Sequence, residues 1–295
     1  MGRLSRWVGG VLFLWASAAH AYDSVEAYGD SLTAGFMSRT DVTHAPPLPE
    51  MSGIISDLAM FFMTKDRTYL AKHHAPELAW PALLATELGG NNPLPLDNHA
   101  VSGARSWNLL DEVKSHPQRG VTTRAFFFIG HNDLCNSTDS PQALADSFKQ
   151  EVGSAVEEWD RNHKDSVAYL VPVGKIGEVY KILNGYVWHK GSQKNYSCVD
   201  SWTKLFPYCV SHYAKFKAGI LDTYLNPRRD AMNTALEKLS EEWTLKSSSN
   251  QFHYLANAQD IQYAPEFFAV DCFHLSPTGQ KAVAERVIDL IEPLE

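Results

Sequence analysis

Cysteine, basic excess and long apolar runs are all scarce in this 295-residue chain. Four cysteines are too few for a fold held together by disulfides alone. Eighteen glycines and 15 prolines exclude a fibrous or low-complexity chain. Acids outnumber bases by 34 to 26, so the basic face of a nucleic-acid binder is missing. No CxxC or HExxH spacing marks a metal site, and no GxSxG marks the nucleophile elbow of a standard α/β-hydrolase. No internal repeat or low-complexity linker divides the chain. What is present is 44% hydrophobic residues, enough to bury a sizeable core. A folded globular protein remains, and an enzyme is the leading expectation.

The first 21 residues read as a secretory signal. Arg3 and Arg6 give the positive start, Trp7 to Trp15 the apolar stretch, and Ala19-His20-Ala21 the small-x-small cleavage site. That apolar stretch is too short to span a bilayer. Cleavage leaves residues 22–295, read as one domain, and takes the net charge from −8 to −10. The expected location is therefore secreted or periplasmic. In an oxidising compartment Cys135, Cys198, Cys209 and Cys272 become disulfide candidates, with three pairings open. Asn136 and Asn195 begin N-x-Ser/Thr sequons.

Strand and helix patterns alternate along the chain. Ser24 to Tyr28, the apolar run Arg124 to Ile129 and Ser166 to Val173 read as strands. Trp80 to Leu88, Leu144 to Asp160 and Pro227 to Leu245 read as helices. Ser276 and Pro277 open a last one, with Ala282, Val283, Val287, Leu290 and Ile291 as its apolar face. Such alternation predicts an α/β layered fold with a mostly parallel sheet. Two stretches, 38–74 and 177–216, break the pattern as long excursions. The second is rich in aromatics, among them Tyr180, Trp188, Trp202, Tyr213 and Phe216. These serve either as a satellite core or as an apolar wall for substrate.

Four short segments carry chemistry. In Gly29-Asp30-Ser31-Leu32, a serine at a strand-to-helix turn is exposed for attack beside converging backbone N–H groups. In Asp271-Cys-Phe-His274, a carboxylate three residues before an imidazole can take its Nδ1–H and leave Nε2 to accept a serine proton. Between them, Asn98-His-Ala-Val-Ser-Gly103-Ala104 offers a backbone N–H unshielded by a side chain. Phe128-Ile-Gly-His-Asn132-Asp133 ends a buried strand in an amide donor. The N–H groups of Ser31 and Gly103 and the Asn132 side chain then make a three-donor oxyanion hole. His131 is either a pocket-lining residue or a loop histidine without a role. His73 and His74, with His44, make a weak metal set, and no metal is expected.

The ordered set YGDSLTAG, NHAVSGA, FFFIGHNDLC and VDCFHLSPTG resembles the GDSL or SGNH hydrolase superfamily, and its phospholipase B-type lipases in particular. The resemblance implies a three-layer α/β/α sandwich around a five-stranded parallel sheet, the flavodoxin-like SGNH fold. It assigns Ser31 as nucleophile, His274 as base and then acid, and Asp271 as its orienter. Ser31, Gly103 and Asn132 hold the oxyanion, Asp30 anchors the loop, and no cofactor is required. A Cys135–Cys272 disulfide is expected, since the catalytic geometry brings those two blocks together.

The expected function is a secreted serine ester hydrolase acting through an acyl-serine. Lipid esters of the phospholipase or lysophospholipase type lead, with acyl transfer to an alcohol as a related outcome. A carbohydrate O-acetyl esterase is the alternative, and a non-catalytic binding module the reading from another class. The expected partner is a lipid or small-molecule ester, met at a transient membrane or micelle surface, and no nucleic acid. The acidic charge gives no attraction to an anionic membrane, so apolar contact from the excursions must bring the enzyme there.

Overall fold

Five short strands carry the architecture: β1 (Ser24–Gly29), β2 (Leu96–Asn98), β3 (Thr123–Phe128), β4 (Val167–Leu170) and β5 (Gln251–Tyr254). They lie in the order β2-β1-β3-β4-β5 with every pairing parallel. Parallel strands need crossovers. Among the described residues, the helices of six or more residues are α1 (Trp80–Gly89), α2 (Leu109–Lys114), α3 (His131–Asn136), α4 (Pro141–Asn162), α5 (Ile176–Leu183), α6 (Val210–Lys217), α7 (Leu221–Lys246) and α8 (Pro277–Ile291). The computed structural model describes residues 22–40, 68–115, 120–188, 196–205 and 209–294, with isolated positions between 53 and 64. The expected signal segment and much of the first excursion lie outside the described residues.

β3 shows why helices cover both faces. Its residues alternate sides and all are buried. Phe126 and Phe128 meet Trp80 of α1, with ring centroids 5.6 and 6.1 Å apart. Phe127 points the other way, stacking on Tyr28 at 5.0 Å and meeting Trp159 of α4 edge-on at 6.2 Å. Each buried phenylalanine contributes roughly 1.5–3 kcal/mol. One layer is thus α1 with α8, and the other includes α2, α4 and α7. This is the expected α/β/α sandwich. A glutamate in the fully buried β1 is accounted for by its partners. Glu26 accepts from the Tyr28 hydroxyl at 2.8 Å and Trp159 Nε1 at 3.1 Å, and pairs with His163 at 3.2 Å. Burial works to raise its pKa, but His163 and these donors outweigh it, and the carboxyl stays below its ordinary value.

Several elements exceed their expected bounds. α7 begins six residues before Pro227, so a proline lies inside it. The bond it omits would reach the carbonyl of Thr223, an exposed residue, so the loss falls on the solvent side. On α8, Ser276 caps the Gly279 N–H at 3.2 Å, as expected. Val283, Val287 and Ile291 are buried with Ala284, while Ala282 and Leu290 are only half-buried. β5 carried no strand signal: it is an edge strand of sequence Gln-Phe-His-Tyr in which only Phe252 is buried.

The strand ends set the site. All of β1, β3 and β4 run the same way, so the turns after Gly29, Phe128 and Leu170 gather at one edge of the sheet. Gly29 holds the first of them at φ 155°, where a Cβ would stand 2.1 Å from the Phe128 carbonyl oxygen. Gly29→Ala is therefore expected to cost about 3 kcal/mol or more, read as a lowered urea midpoint. An unchanged midpoint would show that β1 and β3 can separate there freely.

Candidate active site

β1 ends at Gly29, and the chain turns at Asp30. The Asp30 carbonyl accepts the N–H groups of Thr33 and Ala34, and its Oδ1 accepts from Leu32 N–H at 3.0 Å. That turn leaves Ser31 at the edge of the sheet. Asn98, at the end of β2, donates to the Thr33 carbonyl at 2.8 Å. From α8, the fully buried Gln280 donates to the Leu32 carbonyl at 3.1 Å and to Ser38 Oγ at 2.9 Å. Glu112 of α2 accepts the Gly29 N–H at 3.0 Å.

The other end of the chain meets this turn. Ser31 Oγ lies 2.8 Å from His274 Nε2, and His274 Nδ1 lies 2.5 Å from Asp271 Oδ2. Asp271 is fully buried, and its Oδ1 accepts the N–H groups of Phe273 and His274, each at 3.0 Å. The carboxylate is thus fixed by backbone donors on one oxygen and presents the other to the imidazole. A buried acceptor there keeps the proton on Nδ1 and leaves Nε2 free to take one from serine. Outside contacts hold the loop: Ser201 Oγ donates to the Asp271 carbonyl at 2.6 Å, and Trp202 Nε1 to that of Cys272 at 2.9 Å.

The oxyanion candidates face the same edge. Among the described residues, the N–H groups of Ser31 and Gly103 donate to no protein acceptor. Gly103 has φ 81° and open space where a Cβ would be. Asn132 Nδ2 spends one hydrogen on the Ala104 carbonyl at 2.9 Å, which ties it to the Gly103 turn and leaves the second hydrogen unspent. Asp133 beside it accepts from the Ser106 N–H at 3.0 Å and Ser106 Oγ at 2.7 Å. Burial raises its carboxyl above the ordinary value.

His131 has a partner on each ring nitrogen. The Gly174 N–H donates to Nε2 at 3.0 Å, so the proton sits on Nδ1, 3.1 Å from Asp30 Oδ2. The histidine next to Asn132 thereby holds the aspartate next to Ser31. It also lines a mostly apolar pocket together with Leu32, Phe128, Ile176, Phe273 and Leu275. Leu32 follows Ser31 in the chain, and Phe273 and Leu275 flank His274.

One expectation needs correction. The Cys135–Cys272 bridge does not form; the disulfides are Cys135–Cys209 and Cys198–Cys272, with Cα atoms 5.0 and 5.5 Å apart. Cys135 lies at the end of α3, toward Cys209 at the N-cap of α6. Each disulfide ties the second excursion to one catalytic block, where a direct block-to-block bridge was expected. The described aromatics of that excursion join the main core instead of standing as a separate satellite or substrate wall. Tyr180 and Trp202 are buried with ring centroids 4.8 Å apart, and Tyr213 packs on Trp202 at 5.4 Å. The side chain of Trp188 lies outside the described residues. The histidine metal set is divided. His73 turns to Asp57 at 3.2 Å and His74 to Ser102 Oγ at 2.8 Å, while His44 lies outside the described residues. Burial lowers the His74 pKa to about 4, so that ring is neutral at pH 7.

The supports that sequence reading missed are Glu112, Gln280, Ser201 and Trp202. None carries a motif, and each acts through a long-range bond that only the fold creates. Asn98 alone had a signal, as the first residue of the Gly103 segment.

A family model described as GDSL-like lipase/acylhydrolase matches residues 25–287. No curated protein matches the chain. Among solved structures, it is similar to the psychrotrophic esterase EstA from Pseudoalteromonas sp. at 10% identity, covering 92% of this chain and 98% of that one, with a TM-score of 0.47. A lipolytic protein of the G-D-S-L family from Veillonella parvula is 10% identical, with coverages of 91% and 98% and a TM-score of 0.46. A family two carbohydrate esterase from Clostridium thermocellum is 13% identical, with coverages of 92% and 63% and a TM-score of 0.49.

Proposed function

This chain belongs to the GDSL-like lipase/acylhydrolase family, and we propose that it is an exported serine esterase that cleaves acyl esters, lipid esters first among them. The observation that carries the catalytic reading is the unbroken chain Ser31 Oγ, His274, Asp271, at 2.8 and 2.5 Å. Ser31 Oγ attacks the ester carbonyl while His274 Nε2 takes its proton. The carbonyl oxygen becomes an oxyanion held by the N–H groups of Ser31 and Gly103 and by Asn132 Nδ2. The C–O bond to the alcohol then breaks as His274 returns the proton to the leaving oxygen. Water, or a second alcohol in an acyl transfer, repeats the sequence on the acyl-serine. Asp271 holds the imidazole in place and stabilises the imidazolium.

An apolar pocket walled by the chain neighbours of Ser31 and His274 supports an acyl chain longer than acetyl. Two disulfides support an oxidising compartment. Among the described residues no helix is long and apolar enough to cross a membrane. The carbohydrate O-acetyl esterase reading uses the same catalytic set and differs in the pocket it needs.

p-Nitrophenyl esters of increasing chain length, followed by phospholipid micelles, separate the readings. The lipid reading expects kcat/KM to rise from acetyl toward longer chains, and a sharp preference for acetyl would overturn it. Asn132→Ala is expected to lower kcat by roughly a hundredfold or more with KM little changed. Full activity in a folded Asn132→Ala protein would remove that side chain from the oxyanion hole.

A further inference from the structure

Gln259 is an anomaly in the wall of the apolar pocket. Only 6% of it is exposed, and its Nε2 has no hydrogen-bond partner. Its other amide atom is committed, because Oε1 accepts from the Tyr263 hydroxyl at 3.2 Å. Gly174 stands directly against the same amide: a Cβ there would come 2.8 Å from Gln259 Oε1. A buried amide donor left without a protein partner is costly.

One other acceptor in the pocket wall is already used. His131 Nε2, also in the pocket wall, takes the Gly174 N–H. Lys175 and Tyr263 also line it, with the Lys175 ammonium paired to Asp260 at 2.9 Å, and the rest is apolar, with Phe128, Val179 and Phe268 among its side chains. The pocket therefore asks for a mostly hydrocarbon ligand carrying one acceptor oxygen. Its place beside Leu32, Phe273 and Leu275 puts that ligand next to the nucleophile turn and the histidine loop.

We propose that this pocket is the acyl subsite and that Gln259 Nε2 selects acyl chains bearing an oxygen, as a ketone or hydroxyl, along the chain. This rests on the reading of Ser31 as the nucleophile. Gln259 touches no reacting atom; it is a specificity residue whose donor is paired only when an oxygenated chain is bound. A site built to bond an oxygen rejects the chain that lacks it, because binding then seals an unpaired donor.

The test compares p-nitrophenyl esters of pentanoate and hexanoate with their 4-oxo and 5-oxo counterparts. For wild type, kcat/KM is expected to be at least about tenfold higher for one oxo position than for the plain chain of equal length. Gln259→Leu should erase that preference by raising activity on the plain chain and lowering it on the oxo chain. Equal kcat/KM for plain and oxo chains at every position in wild type would overturn the proposal without need of any variant. So would a preference that survives unchanged in folded Gln259→Leu. Ser31→Ala, run in parallel, keeps the two readings apart. Hydrolysis that persists without Ser31 defeats the proposed nucleophile, whereas a silent Ser31→Ala with no oxo preference in wild type defeats the subsite alone.

Discussion

Ser31→Ala is expected to lower kcat by on the order of 10⁵-fold or more while the protein folds and binds substrate normally. The size follows from the role. Removing Oγ deletes the proposed nucleophile, and His274 Nε2 loses the hydroxyl it contacts at 2.8 Å. What is left is the proposed oxyanion donors and substrate orientation, worth about a thousandfold over water in serine hydrolases that lack a triad member. Stability should barely change, because the Oγ has no other protein partner among the described residues. Single-turnover hydrolysis of a p-nitrophenyl ester, with circular dichroism as a folding control, reads the effect. Loss of less than a hundredfold would mean another nucleophile carries the reaction.

Asp271→Asn should lose about 10⁴-fold in kcat, and the geometry says why an almost isosteric change costs so much. Oδ1 accepts two backbone N–H groups, from Phe273 and His274. An asparagine must therefore keep its oxygen there and turn its NH₂ toward His274. That group donates to Nδ1 and forces the imidazole proton onto Nε2, where it faces Ser31 Oγ and blocks proton uptake. The fold should tolerate the change, since both backbone bonds survive. Rate recovery at alkaline pH, as the serine alkoxide becomes accessible without the base, would support this tautomer argument. A drop of only a few-fold would show that Asp271 merely fills space.

Much of this site was readable from residues alone because its chemistry is local. Gly29-Asp30-Ser31, the glycine at 103, Gly130 ahead of Asn132 and the Asp271/His274 spacing each mark a turn, and a turn is written in a few adjacent residues. Apolar strands buried on both faces, such as Thr123–Phe128, were equally plain. The edge strand Gln251–Tyr254 was not, because only one of its residues faces the core. Disulfide pairing also escaped the sequence. Cys135 and Cys272 belong to blocks that meet in space, but each is claimed by the excursion that packs over the site. Long-range polar supports such as Glu112 on the Gly29 N–H and Gln280 on Leu32 have no local signature at all. His131 sat in a motif, yet its role emerges only where Asp30 and Gly174 converge on its two nitrogens.

A second serine in this region also touches a histidine: Ser102 Oγ lies 2.8 Å from His74 Nε2. No carboxylate among the described residues is hydrogen-bonded to that imidazole, so only Ser31 has the complete relay. Treatment with a fluorophosphonate and peptide mass mapping decides between them. The account predicts one adduct per chain, on the peptide carrying Ser31, lost in His274→Ala and matched by loss of esterase activity. An adduct on Ser102, or full inhibition with Ser31 unmodified, would contradict it.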